Sequence, residues 1–292
     1  MFQIKYQPFN THQAAWKNIR LLLVDNCYDL YTRNQYLKYI NDNNVTHIFS
    51  QDYDLSYLAD CPNIQFVACS PESYHLDTLY SLHNLKGLSL STNDKSFDFS
   101  KLSPTLSFLR TRYESENKSW LNSSTISELS LCGYETKNLL WLSEVKNKEY
   151  LKTLEIYTSY GKFCTLNGLK ELVNLEVLIL DYCRQLSDIT EITELPNLKV
   201  LQCSDIPRVK DLPLDCLKTL EELYLIDLAI TKPRSIDTLS FLKSMPKLHT
   251  FWSNYNILDG DLSLLLRLKD VDIFPDRKHY NLKNSDLPHI VR

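Results

Sequence analysis

Leu166-Asn167-Gly168-Leu169-Lys170-Glu171-Leu172-Val173-Asn174-Leu175-Glu176-Val177-Leu178-Ile179-Leu180-Asp181 is the stretch that decides the fold. Its leucines stand at 166, 169, 172, 175, 178 and 180, so the steps are three, three, three, three and then two. Steps of three suit a tight helical turn. A step of two suits a strand, where alternate side chains share a face. The stretch therefore encodes a helix-like segment, a turn and a short strand, with every leucine on one side. One such unit cannot bury that side alone and must stack on a neighbour of its own kind.

The neighbours are present. Aligned on the residue that opens the strand segment, eleven copies begin at Val45, Ile64, Leu85, Leu106, Ile126, Leu151, Leu175, Leu198, Leu220, Leu248 and Leu268. Successive openings lie 19 to 28 residues apart, close to the roughly 20–29 residues of a leucine-rich repeat. The three-residue spacing recurs upstream at Leu76, Leu79 and Leu82, at Ile189, Ile192 and Leu195, and at Leu239, Leu242 and Met245. On these phased copies the chain resembles leucine-rich repeat proteins over residues 45–275. The resemblance implies an α/β fold: a leucine-rich repeat solenoid with a curved parallel sheet on its concave face and short helices and turns on its convex face.

The copies depart from that pattern in informative ways. Asn93 closes the third copy in the way family members do, but Tyr53, Tyr134, Ser159, Cys183 and Leu228 take that place elsewhere. Ser50, Cys69, Thr111, Cys203 and Ser253 replace the last strand leucine. The long gaps before Leu151 and Leu248 predict insertions on the convex side or at the strand exits. Residues 1–44 do not fit the repeat. Ile19-Arg20-Leu21-Leu22-Leu23-Val24 reads as a strand and residues 31–40 as a short helix, together an N-terminal cap over the first open edge. Residues 276–292 are polar and read as the C-terminal cap.

Composition bounds the setting. The sequence has 292 residues, a net charge of −4, only five glycines and no linker-like run. That charge disfavours nucleic acid as a partner, which needs a basic footprint. Met1-Phe2-Gln3-Ile4-Lys5-Tyr6-Gln7-Pro8-Phe9-Asn10 has no apolar core of the kind a signal peptide carries, and no run approaches a membrane span. The eight cysteines show no paired spacing, and Cys69 and Cys203 fall at buried ladder positions. Free thiols in a cytoplasmic protein follow. The Asn44-Val45-Thr46 sequon goes unused in that compartment.

Function is expected on the strands. The third, fifth and seventh residues of each copy should face the concave surface, with the eighth at its rim. In the first five copies these positions are mostly small or apolar, among them Phe49, Phe66, Ala68, Gly87, Ser89 and Phe108, with Arg110 and Arg112 standing out. The two arginines either bind an acidic spot on a partner or pair with Glu128 and Glu155. From the sixth copy onward the same positions hold Glu155, Tyr157, Asp181, Tyr182, Asp205, Glu222, Tyr224, Asp227, Trp252, Tyr255, Asp270, Asp272 and Phe274. That set includes seven acids and no Lys or Arg. Aromatics give contact area at low entropic cost and dominate interface hot spots. Clustered acids orient a basic partner. Any single acid is ordinarily a solvated surface charge; aromatics exposed on neighbouring strands are a poor choice for solubility alone.

Catalytic patterns are missing. The sequence has no Gly-rich phosphate loop, His-Glu-x-x-His, Cys-x-x-Cys or Gly-x-Ser-x-Gly. His47 sits at an exposed strand position without an acidic orienter in its own copy. Asp270-Val271-Asp272 sets two carboxylates about 7 Å apart on one face, too few ligands for calcium. No enzyme, cofactor or metal is expected. The segment Arg277-Lys278-His279-Tyr280-Asn281-Leu282-Lys283 is similar to tails of bacterial leucine-rich proteins that serve as immunity proteins of polymorphic toxins. That resemblance implies a cytoplasmic antidote, monomeric when free, that binds one basic toxin domain. A scaffold or regulatory subunit like the phosphatase-regulating leucine-rich proteins, or an effector delivered into host cells, is the alternative.

Overall fold

Side-chain alternation and the three-residue leucine steps are realised in the structure, a computed structural model that describes residues 4–8, 19–25, 30–92, 94–113, 119–122, 125–146, 148–158, 161–228 and 234–290. Asn93 and Ser159 of the turn positions lie outside the described residues. The chain divides into two units, residues 1–132 with 145–150, and residues 133–144 with 151–292.

The first unit begins with β1 (Lys5–Pro8), antiparallel to β2 (Arg20–Val24). An α-helix, α1 (Leu30–Asp42), leads from β2 to β3 (His47–Ser50), and β2 and β3 are parallel. Four more parallel strands follow: β4 (Phe66–Cys69), β5 (Gly87–Ser89), β6 (Phe108–Arg112) and β7 (Glu128–Cys132). Short 3-10 segments such as Leu55–Asp60 and Leu76–Ser81 return the chain between strands. Register obeys the repeat frame. His47 pairs Phe66, Phe66 pairs Gly87, Gly87 pairs Phe108 and Phe108 pairs Glu128, each the third residue of its copy.

Two features fix the start of this unit. Arg33 on α1 reaches Asp52 at 3.1 Å and Asp54 at 2.8 Å, and Asp54 also meets His75 Nδ1 at 2.9 Å. Burial opposes ionisation of Asp54, but His75, Ser56 and Arg33 outweigh it and hold the carboxyl far below its ordinary range. The open face of the sheet is apolar here. Phe66 and Phe108 stack at 5.8 Å across the side-chain-free Gly87 and are fully buried with Leu21 and Ala68. The expectation that Phe66 and Phe108 line an exposed surface is therefore corrected: without a side chain on β5 between them, the two rings close on each other.

The second unit carries parallel strands β8 (Thr153–Tyr157), β9 (Val177–Asp181), β10 (Val200–Ser204) and β11 (Glu222–Ile226). A two-residue pair, β12 (Ser235–Ile236) with β14 (Asn256–Ile257), flanks β13 (Thr250–Ser253), and β15 (Asp270–Ile273) completes the ladder after β13. Leu166, Leu169, Leu172, Leu175, Leu178 and Leu180 are each at most 1% exposed, which is the stacked core the opening stretch demands. The helical part of the copy is a 3-10 turn, Leu169–Glu171, as three-residue steps require. The extra residues before Leu248 fall at the exit of β11, partly in 229–233, outside the described residues.

Missing turn asparagines are replaced piecemeal. Thr158 Oγ1 donates to the Tyr134 carbonyl at 2.9 Å and accepts from Gly161 N at 3.1 Å. Cys183 Sγ lies 3.5 Å from the Ile156 carbonyl. The described cysteines are free thiols, and burial pushes Cys69 and Cys203 up to about 12. The segment from Arg277 to Lys283 hydrogen-bonds to the copy before it. Asn281 Oδ1 caps Leu262 N at 2.8 Å, and Tyr280 OH accepts from Ile257 N at 3.1 Å. Beyond it, Pro288 O accepts from Val271 N at 2.8 Å, and Asn284 Oδ1 from Ile273 N at 2.9 Å. These occupy donors along β15 that an edge strand would otherwise expose.

Candidate functional site

The parallel register of the second unit turns the repeat frame into rows. Thr153, Val177, Val200, Glu222, Thr250 and Asp270 form the third-position row; Glu155, Ile179, Gln202, Tyr224, Trp252 and Asp272 form the fifth. Side chains in both rows share the face opposite the leucines.

One cluster forms where the rows end on β11, β13 and β15. Tyr224 and Trp252 are register partners, and their rings meet edge to face at 5.2 Å. Both rings turn their polar atoms toward the third-position row. Tyr224 OH donates to Glu222 Oε2 at 2.6 Å, and Trp252 Nε1 donates to Asp270 Oδ2 at 3.3 Å. Asp272, exposed beside Trp252, accepts from Asn284 Nδ2 at 3.0 Å. Asp270 also accepts from Ile290 N at 3.2 Å and is buried. Tyr224 and Trp252 are half-buried, so the pair joins a fixed geometry to an accessible surface.

A second cluster sits at the strand exits. Tyr157 and Tyr182 meet at 5.1 Å. Arg184 lies 6.0 Å from the Tyr182 ring and holds Asp205 at 2.5 Å. Gln202 Nε2 donates to Asp181 Oδ1 at 3.0 Å and Ser204 Oγ at 3.2 Å. Gly133, Tyr182 and Asp205 occupy the same place in their copies, one residue past the strand, and all three have positive φ. At these three exits the chain passes through the left-handed region with Gly, Tyr or Asp at the turn, whereas Thr158 and Asp227, in the same place of their copies, do not. Glycine does this without strain, and Asp far more readily than Tyr.

Several expected surface residues are placed differently. Tyr255 is 1% exposed; the chain turns into β14 just after it, and its ring lies inside under the Arg234 guanidinium at 5.3 Å. Asp227 is buried and builds the turn, accepting from Arg234 N at 2.9 Å while its own N–H donates to Asn254. Asp205 is buried and paired with Arg184. These three stand just past the strand, where the backbone needs capping, so turn geometry overrides surface display. Glu155 is buried, and its register partner Ile179 is fully buried, so the expected acidic band is interrupted there by an apolar side chain. Phe274, in contrast, is 68% exposed at the exit of β15.

Arg110 and Arg112 belong to the first unit. Arg110 is half-buried and its Nε donates to Ser130 Oγ at 3.1 Å; Arg112 is exposed. Glu128, offered as their partner, has a buried Oε2 without a hydrogen bond, and burial raises its carboxyl to about 7. His47 packs its ring on Phe66 at 6.3 Å and shares a 2.7 Å hydrogen bond with Thr46. Burial, then Lys86, lowers its pKa. Its neighbours hold it as a packed ring. Among the described residues no three metal-binding side chains converge, and no helix is long and apolar enough to cross a membrane.

Reading the strand columns alone missed Arg184 and Gln202. Arg184 lies beyond the columns and folds back to Asp205. Gln202 carries no charge to attract notice, although its place in the fifth-position column was legible.

No family model and no curated protein matches the chain. Its structure is similar to an internalin of Listeria monocytogenes, at 17% identity over 88% of this chain and 87% of that one, with a TM-score of 0.44. It is similar to Rad7 in the yeast Rad7–Elc1 complex, at 14% identity over 87% and 88% of the two chains, TM-score 0.47. It is also similar to the Arabidopsis receptor kinase HAESA, solved with the peptide hormone IDA and the co-receptor SERK1, at 22% identity, 75% of this chain, 39% of that chain and TM-score 0.49. All three scores are below 0.5, so the leucine-rich repeat fold rests on the register and buried leucines described above.

Proposed function

We propose that this chain is a non-catalytic binding protein whose second unit docks a basic protein on its open sheet face. The observation that carries this reading is the Tyr224–Trp252 pair, half-buried and bordered by Glu222, Asp270 and Asp272. Rigid aromatics anchor interfaces, and surrounding acids select the charge of the partner. Within this reading the partner is a toxin domain. The chain acts as a cytoplasmic immunity protein, neutralising the toxin by steric and electrostatic masking. The likeness of residues 277–283 to immunity-protein tails supports that step, although those residues also hydrogen-bond to the copy before them.

The test is titration of the purified chain against the toxin domain encoded beside its gene, with a cell-protection assay. Tyr224→Ala or Trp252→Ala is expected to weaken the complex by at least about 2 kcal/mol, roughly 30-fold in Kd, with the melting temperature nearly unchanged. Wild-type affinity in both variants would remove this face as the docking site. Binding without protection would favour a scaffold role.

A further inference from the structure

We infer that a recess at the exits of β3 and β4, in the first unit, binds an uncharged proline-containing peptide segment in the polyproline II conformation. The recess has a volume of about 410 Å³ and is lined by Phe49, Gln51, Tyr53, Cys69, Ser70 and Pro71. That volume lies within the roughly 300–1,000 Å³ of ordinary ligand sites. Strand register explains the space. Phe49 on β3 pairs with Ala68 on β4, and Gln51 and Ser70 follow the next pair, Ser50 with Cys69. At both steps a large side chain on β3 stands beside a small one on β4, so room is left above the sheet. The site lies wholly in the first unit and is independent of the Tyr224–Trp252 face.

The lining fixes the chemistry of the occupant. None of the six side chains carries a charge; burial pushes the Cys69 thiol up to about 12, so it stays protonated. A charged group or a phosphate would find no counter-charge there. The walls are rings. Phe49 packs on the cluster of Leu21, Phe66, Ala68 and Phe108, while Tyr53 and Pro71 are exposed at the mouth. The thiol and serine hydrogens are already used: Cys69 Sγ donates to the Ser89 carbonyl at 3.8 Å, and Ser70 Oγ donates to Glu72. The Tyr53 hydroxyl and the Gln51 amide remain as donors, with no hydrogen-bond partner among the described residues. The occupant must therefore join an apolar body to acceptors. A leucine or phenylalanine side chain would cover both donors without replacing their water. A polyproline II segment brings pyrrolidine rings for the aromatic walls and carbonyls that its own backbone leaves unbonded. Proline has no N–H, so it asks for no acceptor in return. Its fixed φ also lowers the ordering cost of binding.

The experiment is isothermal titration of the full chain with acetyl-hexaproline-amide. Hexasarcosine, which lacks both N–H groups and the ring, is the control, and adenosine is the competing flat heterocycle. The expected result is saturable single-site binding of hexaproline, with hexasarcosine at least about 5-fold weaker. Gln51→Ala and Tyr53→Ala are each expected to weaken hexaproline about 5-fold. Both side chains are exposed, so the melting temperature should hold; Tyr53→Phe, which removes only the hydroxyl, should show part of the same loss. Tyr224→Ala should leave hexaproline binding unchanged. With no charge in the lining, the Kd should stay nearly constant between about 0.05 and 0.5 M salt. The inference is overturned by any of four results: no saturable binding, equal binding of hexasarcosine, wild-type affinity in both alanine variants, or a Kd that rises steeply with salt. Adenosine that binds more tightly than hexaproline and is lost in the same variants would assign the recess to a base instead. Each of these results leaves the docking face of the second unit standing, because that face is tested with its own partner and the Tyr224 and Trp252 variants.

Discussion

Glu128 shows how one residue's setting reverses its ordinary chemistry. Its carboxyl is half-buried beside Phe108, one oxygen has no hydrogen-bond partner, and burial raises its pKa from the usual 4.5 to about 7. The folded chain therefore holds this proton more tightly than the unfolded chain does. The stability linked to it is present below about pH 4.5 and is lost as pH rises through about 7. Glu128→Gln, neutral throughout, escapes that loss. Melting temperatures of the two proteins should agree at about pH 4.5, and the variant should melt about 2–4 °C higher at about pH 8, equivalent to about 1 kcal/mol after allowing for partial solvent screening. A constant difference across that range would mean that burial does not control the group. The same carboxylate could be read in the sequence as a partner for arginine; only its surroundings show why it is not one.

At the scale of the element, each copy depends on a tight return from turn to strand. Gly168 opens the 3-10 segment Leu169–Glu171 at a φ of 105°, and its N–H donates to Glu191 Oε2 at 2.9 Å. A Cβ there would lie 2.5 Å from the backbone of Leu139. Alanine therefore meets strain from φ and a clash with main chain that cannot rotate away. Gly168→Ala should cost about 1–3 kcal/mol, seen as a lower denaturation midpoint with an unchanged slope. Equal midpoints would show that the turn can re-form. Elsewhere the turn is built from whatever polar group is at hand, Thr158 in one copy and Cys183 in another. Ordered spacing thus survives the loss of the asparagine that usually marks it.

At the scale of the whole molecule, charge matters through its distribution more than its total. The net value of −4 is modest, yet the Tyr224–Trp252 cluster gathers the carboxylates of Glu222, Asp270 and Asp272. Asp272 is exposed, whereas Asp270 is fixed by Trp252 and the Ile290 backbone. Asp272→Lys is therefore the cleaner probe of long-range steering. Its association rate with a basic partner should fall several-fold at low salt and approach the wild-type rate near 1 M salt, where the screening length shrinks to about 3 Å. Stopped-flow rates against ionic strength would decide it; parallel curves at all salts would mean the charge acts only on contact. Both units reuse the one repeat frame, but they fill the open face differently, with stacked phenylalanines in the first and acids with aromatics in the second.

The leucine spacing by itself determined the repeat, its frame and the pairing register within each unit. A three-then-two rhythm can bury its apolar side only by stacking copies in phase. It also placed Tyr224, Trp252 and Asp272 in one row, because side chains alternate along every strand. Tertiary structure alone decided which of the candidate residues remain available. Tyr255, Asp205 and Asp227 are drawn inward at the strand exits, where the backbone must be capped and the chain changes direction. Arg184 reaches Asp205 from outside the strand, and Gly87 lets Phe66 and Phe108 close on each other. Periodicity is a property of neighbours along the chain; charge compensation and burial are set by neighbours in space.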